Sequence, residues 1–157
     1  MKRALIVEIQ DNGLALNRVT ALFHRRGVEF ETFAIDRVSR VNTLRVTTIL
    51  DDRCTDVDRL ALYLRNLQPI YSVRNLELDE AHIRQLALLK VQDAADQQGK
   101  VVGLVRNHRA QVVDLTDGSL IVQFTGTESQ ISALASDLGQ SALVTEMACS
   151  GAIALSR

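Results

Sequence analysis

The side chains of this chain that could carry out chemistry are few, and their spacing supports little of it. His24, His82 and His108 stand singly, with no carboxylate at a spacing that suggests a proton relay, so each reads as a surface or boundary residue rather than a general base. Cys54 precedes a predicted helix whose N-terminus would favour a thiolate, but the neighbouring Asp51, Asp52 and Asp56 oppose that charge. Cys54 and Cys149 lie far apart, without a Cys-x-x-Cys motif or clustered histidines, which predicts neither a zinc site nor a disulfide framework. Ser150-Gly151 lacks the setting of a nucleophile elbow. Asp51-Asp52 lacks the ligand spacing of a calcium loop, and Gly99 and Gly103 lack both the Lys-Ser/Thr of a phosphate loop and a dinucleotide fingerprint. The expectation is a chain without catalytic residues, metal or cofactor of its own.

One stretch is receptive to a ligand. Gln10 to Ile35, QDNGLALNRVTALFHRRGVEFETFAI, reads as loop, helix, turn and strand. Asp11-Asn12-Gly13 is turn chemistry: Asp and Asn side chains bond nearby backbone amides, and Gly tolerates positive φ. Leu16, Val19, Leu22 and Phe23 recur at helical spacing, and Gly27 stands where a left-handed cap belongs. A loop that turns from a strand into a helix leaves N–H groups of the first turn without partners, and these attract an anion such as a carboxylate. Asp11 also fits the helix-start cap.

The rest of the chain must hold that loop in place. With 157 residues, 46% of them hydrophobic, one domain or two small ones can bury a core. A formal charge of −1, with both signs interspersed and 4% aromatic residues, gives no footprint for nucleic acid or an anionic membrane. No apolar run approaches the roughly 20 residues that cross a bilayer, and MKRALIVEIQ meets a glutamate too early for a signal peptide, so a reducing cytoplasm is the expected compartment.

In order, Leu5, Val7 and Ile9 mark a first strand. The helix follows, then strands over Val28 to Asp36 and Leu44 to Leu50, and a helix with the stripe Val57, Leu60, Ala61, Leu64 and Leu67, started by Thr55 with Asp58. Ile70 to Leu78 is a fourth strand. This β-α-β-β-α-β order forms an antiparallel sheet with both helices on one face. The second half repeats it: strand Ile83 to Val91, a weaker helix over Asp93 to His108, strands Ala110 to Leu115 and Ser119 to Phe124 around Asp117-Gly118, a helix capped by Thr127 with Gln130 and stopped at Gly139, and a last strand Leu143 to Met147. The predicted fold is α+β, with two tandem ferredoxin-like domains over 1–78 and 79–157. Open sheets leave unpaired edges, for which pairing of identical protomers is a natural solution.

The chain resembles the regulatory (small) subunit of acetolactate synthase, also called acetohydroxyacid synthase. The resemblance is carried by MKRALIVEIQ with LALNRVTALFHRRGVEFETFAI, by LALLKVQ and HRAQVVDLTDGSLIVQFTGT, and by the tail CSGAIALSR, which matches a family ending Ser-Gly-x-x-x-Leu-Ser-Arg. It implies an ACT domain at 1–78 and a second ferredoxin-like domain after it. It further implies a non-catalytic chain that binds and activates a catalytic subunit in branched-chain amino-acid biosynthesis and confers inhibition by valine. Thiamine diphosphate, Mg and FAD are expected in that catalytic subunit and none in this chain.

A homodimer is implied, in which the effector loop Asp11, Asn12, Gly13, Leu14 and Ala15 of one protomer faces Glu29 and Phe30 of the other, with the second domain acting mainly in assembly. The family has asparagine where Asp11 and Glu29 stand and glycine where Leu14 stands, so valine feedback is expected to be weakened or lost. The alternative is a free-standing ACT-type amino-acid sensor acting on another protein.

Overall fold

A computed structural model describes residues 1–92, 98–116 and 118–157. The chain forms two compact units: Met1–Ile83 together with Gly151–Arg157, and Arg84–Ser150. The first opens with β1 (Lys2–Gln10), α1 (Gly13–Arg25), β2 (Phe30–Arg37), β3 (Thr43–Asp51), α2 (Val57–Arg65) and β4 (Ile70–Glu77). The strands lie antiparallel in the order β2-β3-β1-β4. Leu5, Val7 and Ile9 alternate along β1 and pack with Val46 and Leu50 against the apolar stripes of α1 and α2, Val19, Leu22, Phe23, Leu60 and Leu64 among them. This is the predicted sheet with both helices on one face.

The boundaries of the helices show where local chemistry acted differently from expectation. Gly27 takes the left-handed conformation past the end of α1, at φ 58°. The cap of α2 is Asp56, whose carboxylate accepts from Arg59 N–H at 3.0 Å, rather than Thr55. Asp51 and Asp52 are engaged in ion pairs: Asp51 holds Arg53 at 2.6 Å and the N-terminal amine at 3.3 Å, and Asp52 holds Arg3 Nε at 2.7 Å. The hydrogen bonds from Arg53 keep the Asp51 carboxyl well below the usual carboxylate range.

The outer face of the first sheet differs from the sequence pattern. Ala4 and Ile6 should face solvent if only one side of β1 is buried, yet both are fully buried. The cover is the tail, which was expected to belong to the second domain. After a 3₁₀ turn (Leu78–Glu80), the chain enters β5 (Ala81–Gln92), and β9 (Ile153–Ser156) pairs with β5. Ala152 and Ala154 pack with Ile83 and Leu76 on Ala4, Ile6 and Ile49. Arg157 N–H donates to the Glu80 carbonyl at 3.0 Å, and Arg74 donates to Ser156 Oγ at 3.4 Å. The units therefore part at Ile83/Arg84, not after Leu78, and residues 151–157 return to the first unit. Toward Gln10 the same face turns polar: Glu8 accepts from Arg45 at 3.2 Å and Ser72 at 3.2 Å, and pairs with Arg74 at 3.5 Å.

The second unit repeats the order with β5, α3 (Gln98–Asn107), β6 (Gln111–Thr116), β7 (Ser119–Gly126), α4 (Glu128–Ser141) and β8 (Leu143–Cys149). Its strands run β6-β7-β5-β8, the same permutation as in the first unit. Leu89, Val91, Val122 and Phe124 pack against Val101, Val105, Leu134 and Leu138 of the helices. Thr127 and Gln130 make the predicted capping box. Helix α4 runs through Gly139 to Ser141, because Ala142 N–H still finds the Leu138 carbonyl at 2.8 Å. The predicted start of α3 at Asp93, the loop to Gln97, and Asp117 of the hairpin lie outside the described residues; Gly118 beside it has φ 79°. Among the described residues no helix is long and apolar enough to cross a membrane.

Candidate functional site

The loop between β1 and α1 is held from two sides. Gln10 N–H donates to the Pro69 carbonyl at 3.1 Å, Asp11 N–H to Asn42 at 2.9 Å and Asn12 N–H to Gln10 at 2.8 Å. Asn42, in the β2–β3 turn, sits at φ 59°, a left-handed conformation that asparagine tolerates better than most residues. The helix cap is Asn12, not Asp11. Its Oδ1 accepts from Ala15 N–H at 2.7 Å, and its amide nitrogen is fixed on Gln10 Oε1 at 2.9 Å. Asn12→Ala should cost about 1 kcal/mol in denaturant unfolding, as expected for loss of an N-cap, and Asp11→Ala markedly less.

Two donors remain. The Gly13 and Leu14 N–H groups have no hydrogen-bond acceptor among the described residues, and the first turn of α1 holds no acidic side chain. Unpaired N–H groups at the positive end of a helix are the kind of donors that attract an anion such as a carboxylate. Leu14 itself is 57% exposed, so its isobutyl group stands in solvent beside these donors. Ala15 is buried under them and serves as packing.

The predicted charge pattern is altered by a residue that sequence reasoning did not connect to the loop. Asp11 pairs with Arg37 at 3.1 Å, so its carboxylate faces a guanidinium rather than standing alone. The pairing follows from strand register. Leu44 of β3 lies opposite Ile9 of β1 on one side and Arg37 of β2 on the other, which brings the ends of β1 and β2 to the same edge of the sheet. Arg37 also lines a cleft of about 410 Å³ with Asp36, Val38, Ser39, Arg40 and Arg45.

Glu29 and Phe30 lie at the other end. Phe30 is opposite Leu50, six residues along β3 from Leu44, a separation of roughly 20 Å at about 3.4 Å per residue. One chain therefore does not bring Asp11–Ala15 and Glu29–Phe30 into a single site. Glu29 is exposed just before β2, with no ion pair among the described residues. Phe30 is 45% exposed, with its ring 6.1 Å from Phe23 and 5.3 Å from Phe33.

The other reactive side chains stay apart from this loop in the sequence of elements. Cys54 and Cys149 are free thiols at exposed positions, and His24 and His82 are exposed. His108 is not solitary: its Nε2 lies 2.7 Å from Asp137 Oδ2, joining the end of α3 to α4. The partners are 29 residues apart, which hides the pair from any reading of local spacing. Ser150 Oγ accepts from Leu86 N–H at 3.0 Å, a strand-end contact. Among the described residues, no group of histidine, cysteine and carboxylate side chains is placed to hold a metal ion.

Comparison with known proteins places this geometry in a family. Residues 84–157 match the family model described as the small subunit of acetolactate synthase. The chain is 34% identical over 155 residues to the acetolactate synthase small subunit of Mycobacterium bovis, covering 98% of this chain and 90% of that one. It is 29% identical to the probable acetolactate synthase small subunit of Archaeoglobus fulgidus, covering 100% and 98% of the two chains. The crystal structure of the acetolactate synthase small subunit from Thermotoga maritima shares the fold with a TM-score of 0.83 at 22% identity, covering 100% and 98%. The near full-length identity to such relatives means that the chain belongs to the small-subunit family of acetolactate synthase, a family of non-catalytic subunits.

Proposed function

We propose that this chain is a regulatory subunit that binds the catalytic, large subunit of an acetolactate synthase in the cytoplasm and raises its activity in branched-chain amino-acid biosynthesis. The observation that carries this reading is 34% and 30% identity, over 98% of the chain, to proteins named as small subunits of that enzyme. Thiamine diphosphate, Mg and FAD belong to the catalytic chain, and this chain contributes binding surface and an effector loop. Co-purification with the cognate catalytic subunit tests the proposal. A stable complex with raised specific activity is expected; failure to associate or to activate would overturn it.

The effector loop completes its site by homodimerisation through the first unit. The roughly 20 Å between the Gly13 and Leu14 donors and Glu29 within one sheet supports a second protomer as the source of Glu29 and Phe30. Sedimentation at micromolar concentration should give a dimer.

Valine controls the assembly weakly or not at all. A free amino acid presents a carboxylate to the Gly13 and Leu14 amides, and the Leu14 side chain obstructs that approach where glycine would leave it open. Glu29, exposed and without an ion pair among the described residues, adds a negative charge that disfavours a carboxylate beside it. Asp11 contributes less, because Arg37 already answers its charge. Titration calorimetry should therefore show valine binding weaker than about 100 μM, near −5.5 kcal/mol. Glu29→Asn combined with Leu14→Gly should strengthen binding, with Asp11→Asn adding little. Tighter binding by the unaltered protein would refute this account.

A further inference from the structure

Charge is distributed unevenly in the first unit, although the sequence mixes its signs. Five arginines of the sheet and its ends are committed to a carboxylate, Arg3 to Asp52, Arg37 to Asp11, Arg45 and Arg74 to Glu8, and Arg53 to Asp51, while Arg40 in the β2–β3 turn lies over the Tyr71 ring at 5.0 Å without an ion pair among the described residues. The arginines of the helical layer are not so committed. Arg25, Arg26, Arg59 and Arg65 are all exposed and have no ion pair among the described residues. The acidic side chains of that layer are occupied elsewhere: Asp56 caps α2, and Asp58 accepts from Asn75 at 2.7 Å and pairs with Arg3 at 3.5 Å. Helix α1 contains no acidic residue.

Two of these arginines are organised in advance. The Arg26 guanidinium lies over the Tyr63 ring at 3.9 Å from its centroid, and the Arg59 guanidinium at 5.8 Å. Arg59 Nε donates to the Tyr63 hydroxyl at 3.1 Å, and the two cations hold the phenol below its usual pKa. A guanidinium fixed on an aromatic face keeps its outer N–H groups free in a planar fork that matches a carboxylate. Arg59, Leu62 and Arg65 follow one another at i, i+3 and i+6 along α2, and Leu62 is 56% exposed between the two arginines. An apolar side chain flanked by uncommitted guanidiniums has the make-up of an interface anchor.

We infer that the helical face of the first unit, centred on Arg26, Arg59, Leu62 and Arg65, is the docking surface for a carboxylate-bearing patch of the catalytic subunit. This rests on the regulatory-subunit reading above. Charge complementarity selects the occupant: the face supplies cations and one apolar anchor, so its partner must supply carboxylates around an apolar depression. Such a surface steers encounter and fixes orientation, and its contribution falls as salt screens it.

The test measures affinity of the full-length chain for its cognate catalytic subunit at 50 and 300 mM salt. Arg59→Glu with Arg65→Glu should weaken binding at least tenfold at 50 mM and remove most of the salt dependence. The milder Arg59→Ala with Arg65→Ala should weaken it less and guard against misfolding, which circular dichroism would reveal. If the unaltered chain associates and both helix-face variants associate equally well, the docking surface is wrong while the subunit reading stands. If the unaltered chain does not associate at all, both fall. Equal or tighter binding of duplex DNA or RNA through the same arginines would reassign the face to nucleic acid and also overturn the proposal.

Discussion

Removing residues 151–157 destabilises the first unit by about 3–5 kcal/mol, although those residues lie at the far end of the sequence. The segment covers Ala4, Ile6 and Ile49, none more than 5% exposed, through Ala152 and Ala154. Re-exposing a buried isoleucine costs about 1.5–3 kcal/mol, so the two isoleucines account for most of the loss. Thermal unfolding of the shortened chain should move down by about 4–8 °C for each kcal/mol. Gly151→Ala makes the same point with one carbon. A Cβ there would lie 2.6 Å from the Phe33 carbonyl oxygen and 2.7 Å from Ala34 Cβ. Backbone cannot yield as a flexible side chain does, so a cost of about 1–3 kcal/mol is expected. An unchanged midpoint for both variants would show that the tail is not part of the first unit's core. A fragment ending at Leu78 lacks this cover and the start of β5, and is a poor vehicle for measuring effector binding.

The second large effect is expected at Phe23. It is 2% exposed on α1, within 6.1 Å of the Phe30 ring and 6.2 Å of Phe33, in contact with the main core of the first unit. Phe23→Ala should cost about 3–5 kcal/mol, because the strand and helix around the cavity can collapse only partly. Phe30→Ala should cost about 1 kcal/mol, since that ring is already half in solvent. Urea unfolding distinguishes them: a lower midpoint at similar slope marks lost packing, and equal losses at both positions would contradict the observed burial.

Much of this fold could be read from periodicity. The alternation along β1, β3 and β7 and the stripes of α1, α2 and α4 depend on a residue's own neighbours, and they identified the two βαββαβ units. Contacts made across long sequence separations were hidden. The burial of Ala4 and Ile6 depends on residues about 150 positions away, the Asp11–Arg37 pair on strand register, and His108–Asp137 on helix packing. The candidate loop was legible as a loop because turn chemistry is local. Its cap was misplaced by one residue, since Asp11 and Asn12 are equally suitable by type. Their roles were decided by the Asn42 carbonyl and Arg37, which tie Asp11 to the neighbouring turn and strand.

The return of the tail also sets an order in time. During synthesis the strands and helices of the first unit leave the ribosome early, but the residues that cover Ala4, Ile6 and Ile49 follow only after 84–150 have been made. At about 5–20 residues per second, that delay is on the order of 3–13 s. Throughout it, a nascent sheet presents an uncovered apolar strip to the crowded surroundings of the polysome. Chaperone demand for this chain should therefore track elongation speed through the second unit, a region that contributes nothing to the strip itself.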